Sequence, residues 1–192
     1  MEYAFHIFNQ HAENGICTTL QTLLNAKMAR AGIDLTQNLP IVVCVGSDLV
    51  IGDSLGPMVG SMLSYKTQGL GAFVYGTLTT PVTAKEAKSI REFLKRTHPR
   101  RPVIAVDAAV GPQGDIGLIK ISKEPLYPGA GTGKQLGCFG DVSVIGVVAE
   151  KSVGNYALLN ATRLRLVYRM AGQIADGIAT LLYDYAQVRN AQ

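Results

Sequence analysis

The run Ile41-Val42-Val43-Cys44-Val45-Gly46 carries no polar residue at alternate positions. A strand with one wet face alternates apolar and polar residues; a strand covered on both faces has no need to. Such a run demands helices above and below it, the setting of a parallel sheet. Residues 102–108, PVIAVDA, make the same demand. Between them lie a helical pattern at 55–66 (LGPMVGSMLSYK), a strand pattern at 72–77 (AFVYGT) and a second helical pattern at 83–96. In that second helix Thr83 and Glu86 have the spacing of a capping box. Two more strand patterns follow, IGLIKIS at 116–122 and DVSVIGVVA at 141–149.

Helices are expected at both ends of the chain. Residues 16–31 show helical spacing, with Thr18 and Gln21 as a capping box and Gly32 as the stop. Residues 156–189 show a stripe of Leu164, Val167, Met170, Ile174, Ile178, Leu181 and Leu182, with Gly172 and Gly177 as points of bending or division. Alternating strands and helices predict an α/β fold. Its form is a three-layer sandwich with a mostly parallel twisted sheet and helices on both faces, built as one domain over 1–192. With 192 residues, 47% of them hydrophobic, the chain has material for one sizeable core.

Charge and cysteine content narrow the function classes. The formal net charge of +4 is mild. The densest basic stretch, Lys95–Pro102, falls at a helix end, where cations complement the helix dipole. It reads as a solvated face, so no nucleic-acid partner is expected. Cys17, Cys44 and Cys138 lie far apart, without metal-ligand spacing or an even count, which fits a reducing cytosol. The first residues lack the basic start and apolar stretch of a signal peptide, and no apolar run approaches membrane-spanning length. A cytoplasmic protein with no membrane partner is expected; a homo-oligomer stays open.

The stretch Val50–Pro57, VIGDSLGP, contains the tetrapeptide in which GDSL esterases carry their nucleophilic serine. A serine nucleophile needs a histidine base and an acid to orient it. The residues three before His6, His11 and His98 are Tyr3, Phe8 and Lys95, so the D-x-x-H segment of those enzymes is absent. Ser54 is better read as a helix cap. Pro128–Gln135, PGAGTGKQ, fails a phosphate-binding P-loop at both ends. The Gly/Pro-rich stretch 123–140 around it is expected to shape or cover a cleft.

The aspartates are better placed. Asp53 follows the first buried strand and precedes a helix; Asp107 lies at the carboxyl end of the third strand pattern. With those two strands adjacent, both aspartates face one crevice at the topological switch point. Close carboxylates push each other's pKa values apart, which makes an acid and a base from one residue type. Asp48 and Asp141 are expected at the same edge. Each aspartate alone has a structural reading too, as an N-cap or a turn acceptor.

At these residues the chain resembles a known family. The strings VCVGSDLVIGDSLGPMVGSML, VYGTLTTPV, IAVDAAVG, PGAGTGKQLGCFGDVSVIGVV and TRLRLVYRMA look like those of the YyaC-type sporulation proteins of endospore-forming bacteria. Members are similar in fold to spore germination proteases and to hydrogenase maturation endopeptidases, the HybD-like, phosphorylase/hydrolase-like group. The resemblance implies a protein or peptide substrate, a setting in the sporulating cell or spore, and catalytic roles for Asp53 and Asp107. The maturation enzymes hold nickel with an acid, an aspartate and a histidine. The only histidine after the first buried strand here is His98, in a basic segment, so that site is not expected. Three readings follow. The first is an aspartate-dependent peptidase in which Asp53 and Asp107 activate water, with Asp48, Gly131, Lys134 and Asp141 contacting substrate and no cofactor. The second is a non-catalytic binding or assembly protein on the same fold. The third is a hydrolase with a divalent metal held by Asp53 and Asp107, joined by Asp48 and Asp141.

Overall fold

The computed structural model describes residues 2–128, 138–151 and 162–191. Six strands form one sheet: β1 (Glu2–His6), β2 (Ile41–Cys44), β3 (Val74–Tyr75), β4 (Val103–Gly111), β5 (Leu118–Ser122) and β6 (Val142–Glu150), in the order β1-β5-β6-β4-β2-β3. From β3 through β6 all neighbours are parallel; β5 then pairs antiparallel with β6, and β1 with β5. The helices are α1 (Ala12–Ala31), α2 (Leu55–Lys66), α3 (Ala87–Thr97) and α4 (Leu164–Asn190).

The lack of alternation in β2 has the expected cause. Val42 and Cys44 enter a large core with α1, α2 and α4, while Ile41 and Val43 enter a smaller one with Ala87 and Leu94 of α3. In β4, Ile104 and Val106 face the large core and Ala105 the small one. Both faces are dry along Ile41–Cys44 and Ile104–Val106, so every position there is apolar. The layers are therefore three helices, the sheet, and α3 with its flanking loops.

Several local expectations hold. Thr83 and Glu86 form the capping box at the 3-10 turn that opens α3, and Gly32 ends α1 in the left-handed conformation. Others are corrected. Helix α1 begins at Ala12, so Thr18 lies within it and donates its hydroxyl to the Asn14 carbonyl at 2.9 Å instead of capping. The segment before it forms edge strand β1, which weak alternation in EYAFH conceals. Strand β4 runs three residues beyond Ala108 because it stays paired with β6 as far as Glu150.

Helix α4 is unbroken from Leu164 to Asn190, so Gly172 and Gly177 do not divide it; residues 156–161 of the expected helix lie outside the described residues. The two glycines have different surroundings. A Cβ at Gly177 would meet Ile16 Cγ2 of α1 at 2.7 Å and the Glu13 carbonyl oxygen at 3.0 Å, whereas one at Gly172 would meet nothing within 4 Å. One substitution in one helix is therefore expected to have opposite signs. Gly172→Ala raises stability by about 0.5–1 kcal/mol through helix propensity. Gly177→Ala lowers it by about 1–3 kcal/mol through overpacking. Urea unfolding of both variants beside the parent checks the pair.

Candidate active site

The site is built where β2 ends. Val45 still donates its N–H to Val106 of β4 at 2.7 Å and bridges to Val82. Gly46 then adopts φ +142°, where a side chain is strained and where a Cβ would strike the Asp53 carbonyl oxygen at 2.1 Å. Across the loop, a Cβ at Gly56 in the first turn of α2 would lie 2.0 Å from the Val45 carbonyl oxygen. These two glycines let residues 46–56 fold tightly onto the strand end. The 3-10 turn Gly52–Ser54 thereby packs against β4 and α4 and presents Asp53.

Asp107 comes from the other side of the same gap. It follows Val106, the last β4 residue paired in register with β2, and stands opposite Ile145 of β6. The chain leaves β2 through α2 to reach β3 on one side, then returns through α3 to β4 on the other. Strand order reverses between β2 and β4, and Asp53 and Asp107 flank that reversal.

The two carboxylates differ in setting. Burial pushes the Asp107 carboxyl up to about 8. The Ala108 N–H works against this by donating to Oδ1 at 2.8 Å, and the negative charge of Asp53 adds to it. The residue as a whole is half-buried. Asp53 is half-buried, and its Oδ2 accepts a hydrogen bond from the Ser47 hydroxyl at 2.8 Å. Each aspartate thus uses one oxygen in these bonds and leaves the other uncommitted among the described residues. Ser47 escapes notice in the sequence; its only signal is a hydroxyl just past the end of a buried strand.

The remaining candidates divide. Asp48 lies in the same loop and is exposed. Asp141 does not join this edge. It precedes β6 at the amino end of the parallel strands, where Oδ2 accepts from the Val103 N–H at 2.9 Å and Oδ1 meets Lys27 Nζ at 3.1 Å. Its role is to tie α1 and β4 together, and the sequence-based placement fails because Asp141 precedes its strand, whereas Asp107 lies just beyond the part of β4 that pairs with β2. The proposed four-aspartate metal set is therefore not assembled, and no metal-capable group of three or more His, Cys, Asp or Glu occurs among the described residues. Gly131 and Lys134, with the rest of 129–137, lie outside the described residues. The flanks of that segment pair with each other, Leu126 with Phe139, inside the small core.

Ser54 makes no side-chain cap and no hydrogen bond to a histidine among the described residues. It is buried, and its hydroxyl donates to the Ile51 carbonyl at 2.7 Å. The histidines are elsewhere: His6 in β1, His11 before α1, and His98 after α3, where its ring shares a 2.8 Å hydrogen bond with the Tyr75 hydroxyl. Cavities of about 520 and 470 Å³ occur in the fold, and neither is lined by Asp53 or Asp107. All three cysteines are free thiols. No helix among the described residues is long and apolar enough to cross a membrane.

Fold and site together define a three-layer α/β protein with two unlike carboxyls at its switch point. The chain belongs to the DUF1256 family, described as proteins of unknown function, whose model matches residues 8–177. It is 39% identical over 171 residues to the uncharacterized protein YyaC of Bacillus subtilis (strain 168), covering 88% of this chain and 80% of that protein. Among solved structures, a NiFe hydrogenase maturation protease, HycI from Thermococcus kodakarensis KOD1, matches 78% of this chain and 96% of its own. The TM-score is 0.48 and the identity 18%.

The raised Asp107 carboxyl makes stability depend on pH. The native state holds this proton until about pH 8, while the unfolded chain releases it near the ordinary carboxylate value of 3.8. Between those limits the native state binds more protons, so stability falls as pH rises, by up to about 1.4 kcal/mol per pH unit. Above pH 8 the slope from this group vanishes. Asp107→Asn is expected to remove the slope, which denaturant unfolding at pH 5, 6, 7 and 8 measures directly.

Proposed function

We propose that this protein is an aspartate-dependent peptidase that acts during sporulation. The observation that carries the reading is the asymmetry of the pair at the switch point. Burial holds Asp107 neutral at physiological pH and the charge of Asp53 adds to that effect, which pairs an acid with a candidate base. The sporulation setting rests on the strings that resemble those of the YyaC-type proteins.

In the proposed reaction Asp53 takes a proton from a bound water, and the oxygen attacks the scissile carbonyl carbon. Asp107 gives its proton to the carbonyl oxygen as the tetrahedral intermediate forms. Collapse restores the carbonyl, returns that proton to Asp107 and breaks the C–N bond while Asp53 delivers its proton to the leaving nitrogen. Ser47 acts as a positioning residue, holding Asp53 Oδ2 so that Oδ1 faces the water. The reaction needs no cofactor.

A second reading, a binding or assembly protein on the same fold, draws on one observation: the cavities of about 520 and 470 Å³ both lie away from the two aspartates. Incubation with protein extract from sporulating cells, read by mass spectrometry, separates the two. Peptidase activity predicts new peptide termini that disappear in both Asp53→Asn and Asp107→Asn, with kcat reduced by about 10²-fold or more in each. Intact proteins from parent and variants alike would move the binding reading ahead.

Two finer outcomes are expected of an active enzyme. Its rate falls as pH rises through about 8, where Asp107 loses the proton it must donate. Ser47→Ala lowers kcat by about tenfold or less with little change in KM, the size of one neutral hydrogen bond. A pH–rate profile and steady-state kinetics on the first cleaved peptide give both.

A further inference from the structure

The start of α4 is electrostatically inverted. Arg163 stands at its N-cap position, Arg165 follows in the first turn, and Arg169 lies one turn further on. A helix N-terminus favours anions, yet this one has no acidic residue in its first turn and no side-chain cap. None of the three arginines forms an ion pair with a described residue. Arg169 lies over the ring of Phe8, 4.8 Å from its centroid, and Phe8 is itself 61% exposed.

These side chains rim the cavity of about 520 Å³ beyond the carboxyl end of β6. Ile7, Ile116, Val148 and Leu166 supply its apolar walls, and Glu150 is the one carboxylate among the described residues that line it. The site therefore combines a cavity, an apolar lining, one carboxylate and three cations without an ion pair among the described residues. Arginine beside an exposed aromatic ring is also the composition that dominates protein interfaces.

We propose that this cavity binds an acidic–apolar peptide segment of a protein partner. Arg165 and Arg169 are four residues apart on one helix face, roughly 6 Å along the axis. Carboxylates at alternate positions of an extended chain are spaced by about 6.6–6.8 Å. One such chain can thus satisfy both guanidinium groups while an apolar side chain fills the cavity between helix and sheet. The volume and apolar walls exceed what a lone phosphate or carboxylate would occupy. The second basic cavity, near Arg30 and Arg100, is less suited. Its Lys27 is paired with Asp141, and its Arg101 stacks on Phe73 and donates to the Leu39 carbonyl. This inference does not rest on the peptidase reading.

The test uses a fluorescein-labelled, amidated peptide with the core Glu-Leu-Glu-Phe-Glu between Gly-Ser flanks, titrated with the full chain and read by fluorescence anisotropy. Saturable binding is expected. It should weaken at least tenfold in the Arg165→Gln/Arg169→Gln double variant, whose exposed positions leave the fold intact by circular dichroism. It should also weaken at least threefold when Leu and Phe of the peptide become Ser, and stay unchanged in Asp53→Asn and in Arg100→Gln. No binding by the parent chain at millimolar peptide would overturn the proposal. So would equal binding by the double variant, or equal binding of the Ser-substituted peptide, which would reveal general attraction of anions to a basic surface.

Discussion

The candidate site depends on how closely α2 approaches the end of β2. At Gly56 the helix backbone stands where a Cβ would lie 2.0 Å from the Val45 carbonyl oxygen, and at Gly46 the loop backbone lies equally tight against Asp53. Helices usually pack on sheets through side chains. Here backbone meets backbone, which packs the turn Gly52–Ser54 against β4, near enough for the charge of Asp53 to act on Asp107. A larger residue at either glycine would lift the turn and part the carboxyls. The same contact fills the space left where β2 stops, so it seals the large core while it forms the site.

That tight packing has an electrostatic consequence. The Asp107 carboxyl is buried on the strand against which that turn packs, and a carboxyl that loses water resists ionisation. The Ala108 amide recovers part of the loss, but burial remains the larger effect. At neutral pH the fold keeps a proton on Asp107 that the unfolded chain would release, at a cost in stability. An asparagine would carry no such cost. A buried carboxyl that destabilises the fold around it, placed at the switch point of an α/β sheet, is a feature that chemistry explains better than architecture does.

Much of the fold is legible in the chain because burial on both faces leaves an unambiguous mark. Ile41–Cys44 and Val103–Val106 could only be central strands, and the helices between them follow from ordinary periodicity. What escapes is whatever burial marks weakly. Strand β1 is an edge strand with Glu2 and Ala4 exposed, so its alternation carries little contrast. The start of α1 escapes because the residues from Ala12 to Ile16 mix polar and apolar types before the clear stripe begins. Gly177 reads as a helix breaker in isolation, and only the neighbouring Ile16 explains why the position stays small.

The site shows the same division between local pattern and spatial context. The string GDSL is identical in letters to an esterase signature, yet its serine donates to the Ile51 carbonyl and hydrogen-bonds no histidine among the described residues. The aspartate beside it gains its meaning from a residue 54 positions later, through a strand order that sequence spacing does not encode. Asp107 could be inferred because adjacent strands are the usual arrangement at a switch point. Asp141 misled for a related reason. A strand has two ends, and an aspartate next to an apolar run looks the same at either. Only the register of β6 against β4, with Val142 opposite Ile104, places Asp141 at the far end of the sheet and gives it to Lys27. Placing a carboxylate at a sheet edge therefore requires the direction and register of its strand, and for Asp53 and Asp107 both are set by the parallel pairing of β2 with β4.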